Sequence, residues 1–545
     1  MVFDHVESME RPLHRWRAYP LPNLKLLDLT HAHLHDDLMN KTPNTGDRFT
    51  ITNAEVDGKM VDVEILDGLV YAVTPSSKSS ALHSSKGDTT LDADGGALIP
   101  GLHDHHTHIL AFAASRSSVQ CGRRSAGDAS QLQSQLQQAA WHKTPGEWLR
   151  GVGYHESTAG PLDRFVLDRL VVDRPVRLQH RSGHAWFLNT AALVAVGVDP
   201  LSAQNYLPEG FQRDEHGLPT GVLFGADDWL GALVPRIPLD LAAAGVELSS
   251  YGITGLTDAT PTTSQDDLTL LASAQSNGDL PQSIMVMGGV DLDTEHEAGL
   301  ERGPIKLVLA DHGLPNLDEL IAEFRSCRQT GRPIAIHCVT RLSLVLALAA
   351  WEEVGTQPGD RIEHGAVIPL ELIVKIAELQ LTVVTQPGFI ADRGDDYLND
   401  VDDHDQPHLW RCGSLLASGI GVGGSTDAPF GPADPWIAIA TAIDRRTPAG
   451  ATLGTTERIS PREALNMFLT SPNDPGGLPL RVAAGSAANL CLLNTPLSQV
   501  LADPSSTSVR STIGQGQLLQ TEGEFRRKVE GGGFANRRVG PQSGG

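Results

Sequence analysis

The chain has 545 residues, 40% apolar and 20% charged, which exceeds the usual reach of a single core and predicts one large catalytic domain with at least one smaller companion. Acidic residues outnumber basic ones 66 to 42, for a formal net charge of −24, and no basic stripe reverses this, which argues against nucleic acid and anionic membrane as partners. Five widely spaced cysteines, at 121, 327, 338, 412 and 491, with no CxxC, read as reduced thiols rather than a disulfide framework.

Residues 1–48 are polar, rich in His and Asp, and read as an irregular lead-in. The opening MVFDHVESMERPLHRW has no apolar core of signal-peptide length, and no run approaches 18 apolar residues; a cytoplasmic protein without a membrane span is the expectation. From Phe49 the alternating segments FTITNAEV, KMVDVEILDG and LVYAVTP, broken by DG and SS clusters, predict a small antiparallel sheet over 49–96.

Strand-length runs then alternate with helical patterns. The runs are ALIPGLHDHHTH (97–108), GITGLTDA (252–259), QSIMVMGGV (282–290), PIKLVLAD (304–311), PIAIHCV (333–339), DRIEHG (360–365), LTVVTQPG (381–388) and IGVGGSTDAP (420–429). Helical patterns such as NLDELIAEFRSCRQTG and PLELIVKIAELQ lie between them. Eight such units predict an α/β fold, a (β/α)₈ TIM barrel over 97–475. Residues 109–251 interrupt it after the first strand. With a helix in DASQLQSQLQQAAWHK and a strand in RPVRLQHRS, they read as an inserted subdomain over the barrel mouth. Residues 476–522 return to β segments (ANLCLLN, STIGQGQLLQ) and join 49–96 in a small discontinuous β-sandwich domain; the tail 523–545 reads as disordered.

Residues i and i+2 of a strand share a face, so His106 and His108 project together with Asp104 beneath them, while His103 and His105 face the other way. An HxH pair at a strand end is half of a metal site, although a His-rich surface run has the same appearance. His337 closes PIAIH, His364 closes RIEH and Asp427 closes GVGGSTD, each on the face where such a barrel carries its chemistry. Taken singly, each His reads as a hydrogen-bonded core residue and Asp427 as the N-cap of the next helix. Taken in the order HxH, H, H, D they read as one ligand set. Lys306, among the apolar neighbours of PIKLVLAD, reads either as a Lys snorkelling from the strand end or as a buried amine that captures CO₂ as a bridging carbamate. The Gly-rich GVGGSTD lacks both the GxGxxG spacing and the ending of a P-loop, so no nucleotide site is read there.

The segments PGLHDHHTH, PIKLVLAD, IHCV, RIEHG and GGSTDAP resemble the amidohydrolase superfamily. LRGVGYHES, RPVRLQHRSGHAWFLNTAAL, GLPTGVLF, VTQPGFI and SPREALNMFLTSP are similar to its YtcJ-like branch, which contains N-substituted formamide deformylase-type enzymes. The resemblance implies two divalent metals, one held by His106 and His108 with Asp427, the other by His337 and His364, bridged by a carboxylated Lys306. It implies that a metal-activated hydroxide cleaves an amide-like C–N bond (N-acyl, N-formyl or cyclic amide) of a small molecule, with Asp427 as general base and then general acid. His184, in SGHAW, lines the substrate pocket on this reading, or else holds a turn. The ligand types suit Zn, with Mn, Fe and Co as alternatives, and a homodimer is the working expectation.

Three departures from the family stand out: Thr340-Arg341 in place of a Gly-Asp pair, a short link from Asp311 to His337, and Ala488-Asn489-Leu490 in place of Ala-Asp-Leu. Two other readings remain. One is a mononuclear deaminase on the same fold, although Thr340 stands where such deaminases commonly carry Glu. The other is a catalytically silent binding barrel, which predicts lost ligands, whereas all six positions are filled.

Overall fold

The protein is seen in a computed structural model that describes residues 48–76, 89–204, 206–310 and 313–521; the tail expected over 523–545 and all of the lead-in but Arg48 lie outside them. Eight strands form one parallel sheet in sequence order: β1 (Leu102–Thr107), β2 (Ile253–Asp258), β3 (Ser283–Gly288), β4 (Leu300–Val308), β5 (Ile334–Cys338), β6 (Arg361–His364), β7 (Thr382–Thr385) and β8 (Val422–Gly424). They fall on the eight runs read from the sequence. The fourth begins earlier than expected, at Leu300.

Both faces of these strands are covered, and every residue of β1, β2 and β6 is buried. Such strands lose the in-out alternation of a one-sided sheet and become nearly continuous apolar runs. The sheet curls until its ends meet: the Asp427 amide donates to the His106 carbonyl at 2.9 Å, and the His108 amide to the Ala428 carbonyl at 2.8 Å. The bonds that close the barrel therefore also set Asp427 beside the HxH pair.

Helices cover the outside. Helix Leu317–Arg328 starts in a capping box between Asn316 and Glu319, and helix Arg341–Val354 in one between Thr340 and Ser343. The first buries Leu320, Phe324 and Cys327, the second Leu344, Ala347 and Trp351, at helical spacing. Phe324 meets Trp351 edge-on at 5.3 Å between ring centroids. The Thr340-Arg341 pair is thus the start of a helix.

Two four-stranded sheets flank the barrel. One contains Arg48–Val56, Lys59–Leu66, Leu69–Pro75 and Thr89–Asp92; the other contains Leu98–Pro100, Leu490–Leu493, Val509–Gly514 and Gln517–Thr521. Ile51, Val63 and Ile65 of the first share a core with Leu490, Leu492 and Ile513 of the second. Leu98–Pro100 runs straight into β1 through Gly101, where a Cβ would lie 2.2 Å from the Thr254 hydroxyl oxygen.

Between β1 and β2 the helices Ile109–Arg116 and Leu241–Ser250 join the barrel core. The chain between them builds a six-stranded sheet in the order 211–213, 219–224, 185–188, 176–180, 149–154, 119–120, with its own core around Leu132, Leu136, Tyr154 and Leu178. All five cysteines are buried without a disulfide, and no described helix is long and apolar enough to cross a membrane.

Candidate metal centre

The side chains at the C-terminal ends of β1, β4, β5, β6 and β8 meet at the barrel mouth. His106 is buried in β1, with its Nδ1 bonded to the Glu363 carboxylate and its Nε2 3.6 Å from Asp427 Oδ1. His108 lies one residue past β1, at the head of helix Ile109–Arg116. Its Nδ1 is 3.0 Å from the Thr260 hydroxyl and its Nε2 3.4 Å from the same Asp427 oxygen. His364 Nδ1 is 2.9 Å from Gln386 Oε1 and 4.0 Å from Asp427 Oδ2. The His364 ring centroid stands 4.6 Å from that of His106 and 4.5 Å from that of His337.

Two of these residues have left-handed backbones, Asp427 at φ +56° and His364 at φ +69°. That region disfavours a side-chain-bearing residue and persists where neighbours over-determine it. At Asp427 the neighbours are the His106 carbonyl, which accepts from its amide, and the Phe430 amide, which donates to its carbonyl at 2.7 Å. Asp427 is therefore not the N-cap of the following helix Pro435–Asp444; Asp434 is.

The alternation read in HDHHTH holds. His103 and His105 turn away, to the Thr257 and Thr470 hydroxyls at 3.0 and 2.9 Å. Asp104 accepts from the Thr426 amide at 3.1 Å and from the Thr426 hydroxyl, tying β1 to the end of β8. Burial pushes its carboxyl up to about 7 against those bonds.

Burial holds His106, His337 and His364 well below the ordinary imidazole value, and the Lys306 charge adds to the effect on all three. All three are neutral, the form that binds a metal. Burial by itself raises the Asp427 carboxyl, but the nearby His108, His106 and Lys306 side chains outweigh it, and the net shift is downward. Lys306 is 4% exposed, and burial lowers it to about 8 although Glu363 and Asp427 oppose this.

Whether a cation fits can be judged from unpaired atoms. Among the described residues, Lys306 Nζ, His106 Nε2 and Asp427 Oδ1 are buried without a hydrogen-bond partner. Buried polar atoms are nearly always paired. A divalent ion with bonds of about 2.0–2.2 Å in tetrahedral geometry sets its ligand atoms roughly 3.3–3.6 Å apart. The 3.4 and 3.6 Å separations of His108 and His106 from Asp427 Oδ1 suit that spacing, and these three residues form a metal-type cluster. The residues fit the group.

His184 comes from the inserted sheet. It follows the turn Arg181–Gly183, and its ring stands perpendicular to that of His337 with centroids 5.4 Å apart. A Cβ at Gly183, whose φ is +80°, would lie 2.7 Å from the Phe430 ring, and that ring is 5.3 Å from His108. The insertion thus touches the mouth directly. Beside this contact is a cleft of about 600 Å³, lined among others by Gln179, Arg181, Arg393 and Phe430.

Sequence reasoning missed Glu363, Gln386 and Thr260, the partners that orient the imidazoles. One signal was available: Arg361 and Glu363 are opposite charges on the same face of an interior strand, which must be paired to be buried.

The sequence profile of the amidohydrolase family matches residues 89–520. The chain belongs to the amidohydrolase family. Within it, this amidohydrolase lies on the YtcJ-like branch. It is 27% identical over 462 residues to the N-substituted formamide deformylase of Arthrobacter pascens, covering 74% of this chain and 84% of the relative. It is 24% identical over 444 residues to the YtcJ protein of Bacillus subtilis (strain 168), covering 73% and 83%. The amidohydrolase also shares its fold with a crystal structure of an uncharacterized metal-dependent hydrolase from Pyrococcus horikoshii OT3: TM-score 0.64, 19% identity, 82% of this chain and 97% of that one.

Proposed function

We propose that the protein is a metal-dependent hydrolase of amide-like C–N bonds in small molecules: N-acyl, N-formyl or cyclic amides. The observation that carries this reading is the meeting of His106, His108 and Asp427 at ligand spacing around buried, unpaired atoms. The similarity to a protein named as a formamide deformylase supports an amide substrate, since a formamide is an amide.

On this reading His106 and His108 hold one divalent ion with Asp427, and His337 and His364 hold a second. Lys306, its amine carboxylated by CO₂, would be a ligand common to both. Bound there, ions of the Zn type, which His and carboxylate ligands suit, supply a lowered pKa for water and a polarised carbonyl. Asp427 is the general base and then the general acid. Its carboxylate is ionised and faces both HxH rings through one oxygen and His364 through the other. It can therefore take a proton on one side of the bond being cleaved and return it to the leaving nitrogen. His184 closes the substrate pocket over His337.

The deaminase alternative has less support. It needs an acid where Thr340 stands, and Thr340 spends its hydroxyl capping a helix, accepting from the Ser343 amide at 3.2 Å. Five buried free cysteines favour a reducing compartment such as cytoplasm. A small-molecule substrate, no nucleic-acid partner and a homodimer complete the reading, the last to be checked by light scattering.

The test is metal analysis followed by a substrate panel of formamides, N-acyl amines and cyclic amides. Expected are close to two divalent ions per chain and turnover of at least one class. Asp427→Asn should lower kcat by about 10²-fold or more. Lys306→Ala should lose activity and regain part of it with added metal and a short carboxylate such as propionate, which replaces the carbamate oxygens. Metal-loaded protein inert across the whole panel would sink the proposal.

A further inference from the structure

His108 stands at the N-cap of helix Ile109–Arg116, yet its side chain makes no capping bond. The first amides of a helix lack partners within it, and the N-cap side chain ordinarily supplies one. A histidine can do this. His155 is the N-cap of helix Glu156–Ala159, and its Nδ1 accepts from the Ser157 amide at 3.2 Å. A neutral ring whose Nδ1 accepts carries its proton on Nε2, which leaves no lone pair there for a cation. His108 escapes this duty because another residue performs it. Asp258, the last residue of β2, reaches across and accepts from the Ile109 amide through Oδ2 at 2.7 Å.

The same carboxylate acts on the ring from the other side. Asp258 Oδ1 accepts from the Thr260 amide at 3.0 Å, and the Thr260 hydroxyl lies 3.0 Å from His108 Nδ1. When Nε2 binds an ion, Nδ1 carries the proton, and this hydroxyl oxygen is placed to accept it. Asp258 is buried, and among the described residues its hydrogen bonds are to these two backbone amides. A buried carboxylate is ordinarily paired with a cation; here the amides and the positive end of the helix serve instead. Strand pairing makes the placement possible. Asp258 is the register partner of Thr107, and the Ala259 amide donates to the Thr107 carbonyl at 2.8 Å. The chain thus leaves β2 directly beside the point where His108 turns into its helix.

We propose that Asp258 is a positioning residue for His108: by capping the helix in its place and holding Thr260 against its Nδ1, it reserves Nε2 for a metal. The inference rests on the reading of the barrel mouth as a metal centre. The probe is Co²⁺, whose visible absorption reports its ligands, added to the full chain after dialysis against metal-free buffer. Asp258→Asn turns a donor toward one of the two N–H groups. It should bind Co²⁺ about 10- to 100-fold more weakly in chelator competition, with an altered absorption spectrum. A carboxylate that served the helix alone would lower the urea midpoint of the variant and leave affinity and spectrum as in the unaltered protein; that result overturns the proposal. Asp258→Ala, in which no donor meets those amides, is the second variant should Asp258→Asn fold poorly, and the same outcomes apply to it. Unaltered protein that takes up no Co²⁺ overturns the metal reading and this inference with it. Co²⁺ bound equally by the unaltered protein and the variants overturns this inference alone.

Discussion

Glu363 divides its carboxylate between two partners: one oxygen takes the Nδ1–H of His106, and the other accepts from Arg361 Nε at 2.5 Å. Arg361 in turn donates to the His105 carbonyl at 3.2 Å. This chain fixes the His106 tautomer and turns its Nε2 toward Asp427. Carboxylates that hold ligand imidazoles in this way are commonly worth about 10- to 100-fold in metal affinity. Glu363→Gln should therefore weaken metal binding by roughly that factor in a chelator competition, with the circular dichroism spectrum unchanged; unaltered affinity would remove Glu363 from the site. The contrast with the other site residues explains what can be read in a sequence. HxH, H, H and D are visible because each closes an apolar strand, a local pattern. Glu363 lies 257 residues from its partner, and the pairing follows only from the barrel's closure.

At the scale of elements, the ends of the barrel strands divide the labour. The C-terminal ends carry the metal-type ligands, whereas the entry to β6 is held by Asp360. This buried carboxylate accepts from the Ile334 amide at 2.8 Å and the Gln357 amide at 2.9 Å, and pairs with the Arg328 guanidinium. It thereby joins β5, β6 and the helix that ends at Arg328. Removing one partner of a buried ion pair strands the other, at a cost of about 3–5 kcal/mol. Asp360→Ala should lose about that much in urea unfolding while kcat of the surviving folded protein is unchanged. A parallel fall in kcat would mean that the two ends of the barrel are coupled. The barrel strands were legible because each is buried on both faces and ends at a break. The six-stranded inserted sheet was not, since its order mixes parallel and antiparallel neighbours and crossovers leave no periodic trace. Thr340-Arg341 misled in another way: in the sequence it is a lost Gly-Asp motif, in the fold a helix cap.

For the whole molecule, the barrel interior is unusually rich in buried titratable groups, and their balance sets the response to acid. Burial lowers His103 to about 3 and takes His105, His106, His337 and His364 well below the ordinary value. The unfolded chain protonates these imidazoles near pH 6.5 and the folded chain does not, so their contribution is complete above that pH and is lost as the pH falls. Asp104 works the other way. Its carboxyl is raised to about 7, so between there and the ordinary 3.8 the folded state holds a proton that the unfolded state lacks, and stability is gained on acidification. Five depressed imidazoles outnumber one raised carboxyl. The net slope is downward, each uncompensated proton contributing about 1 kcal/mol per pH unit. Calorimetry of metal-free protein should show Tm falling steadily from about pH 7 to about pH 5. Bound metal should steepen the fall, because protons compete with the ion for the same nitrogens. A flat or rising Tm across that interval would mean that the imidazoles already carry their protons in the native barrel, a state in which they cannot act as ligands.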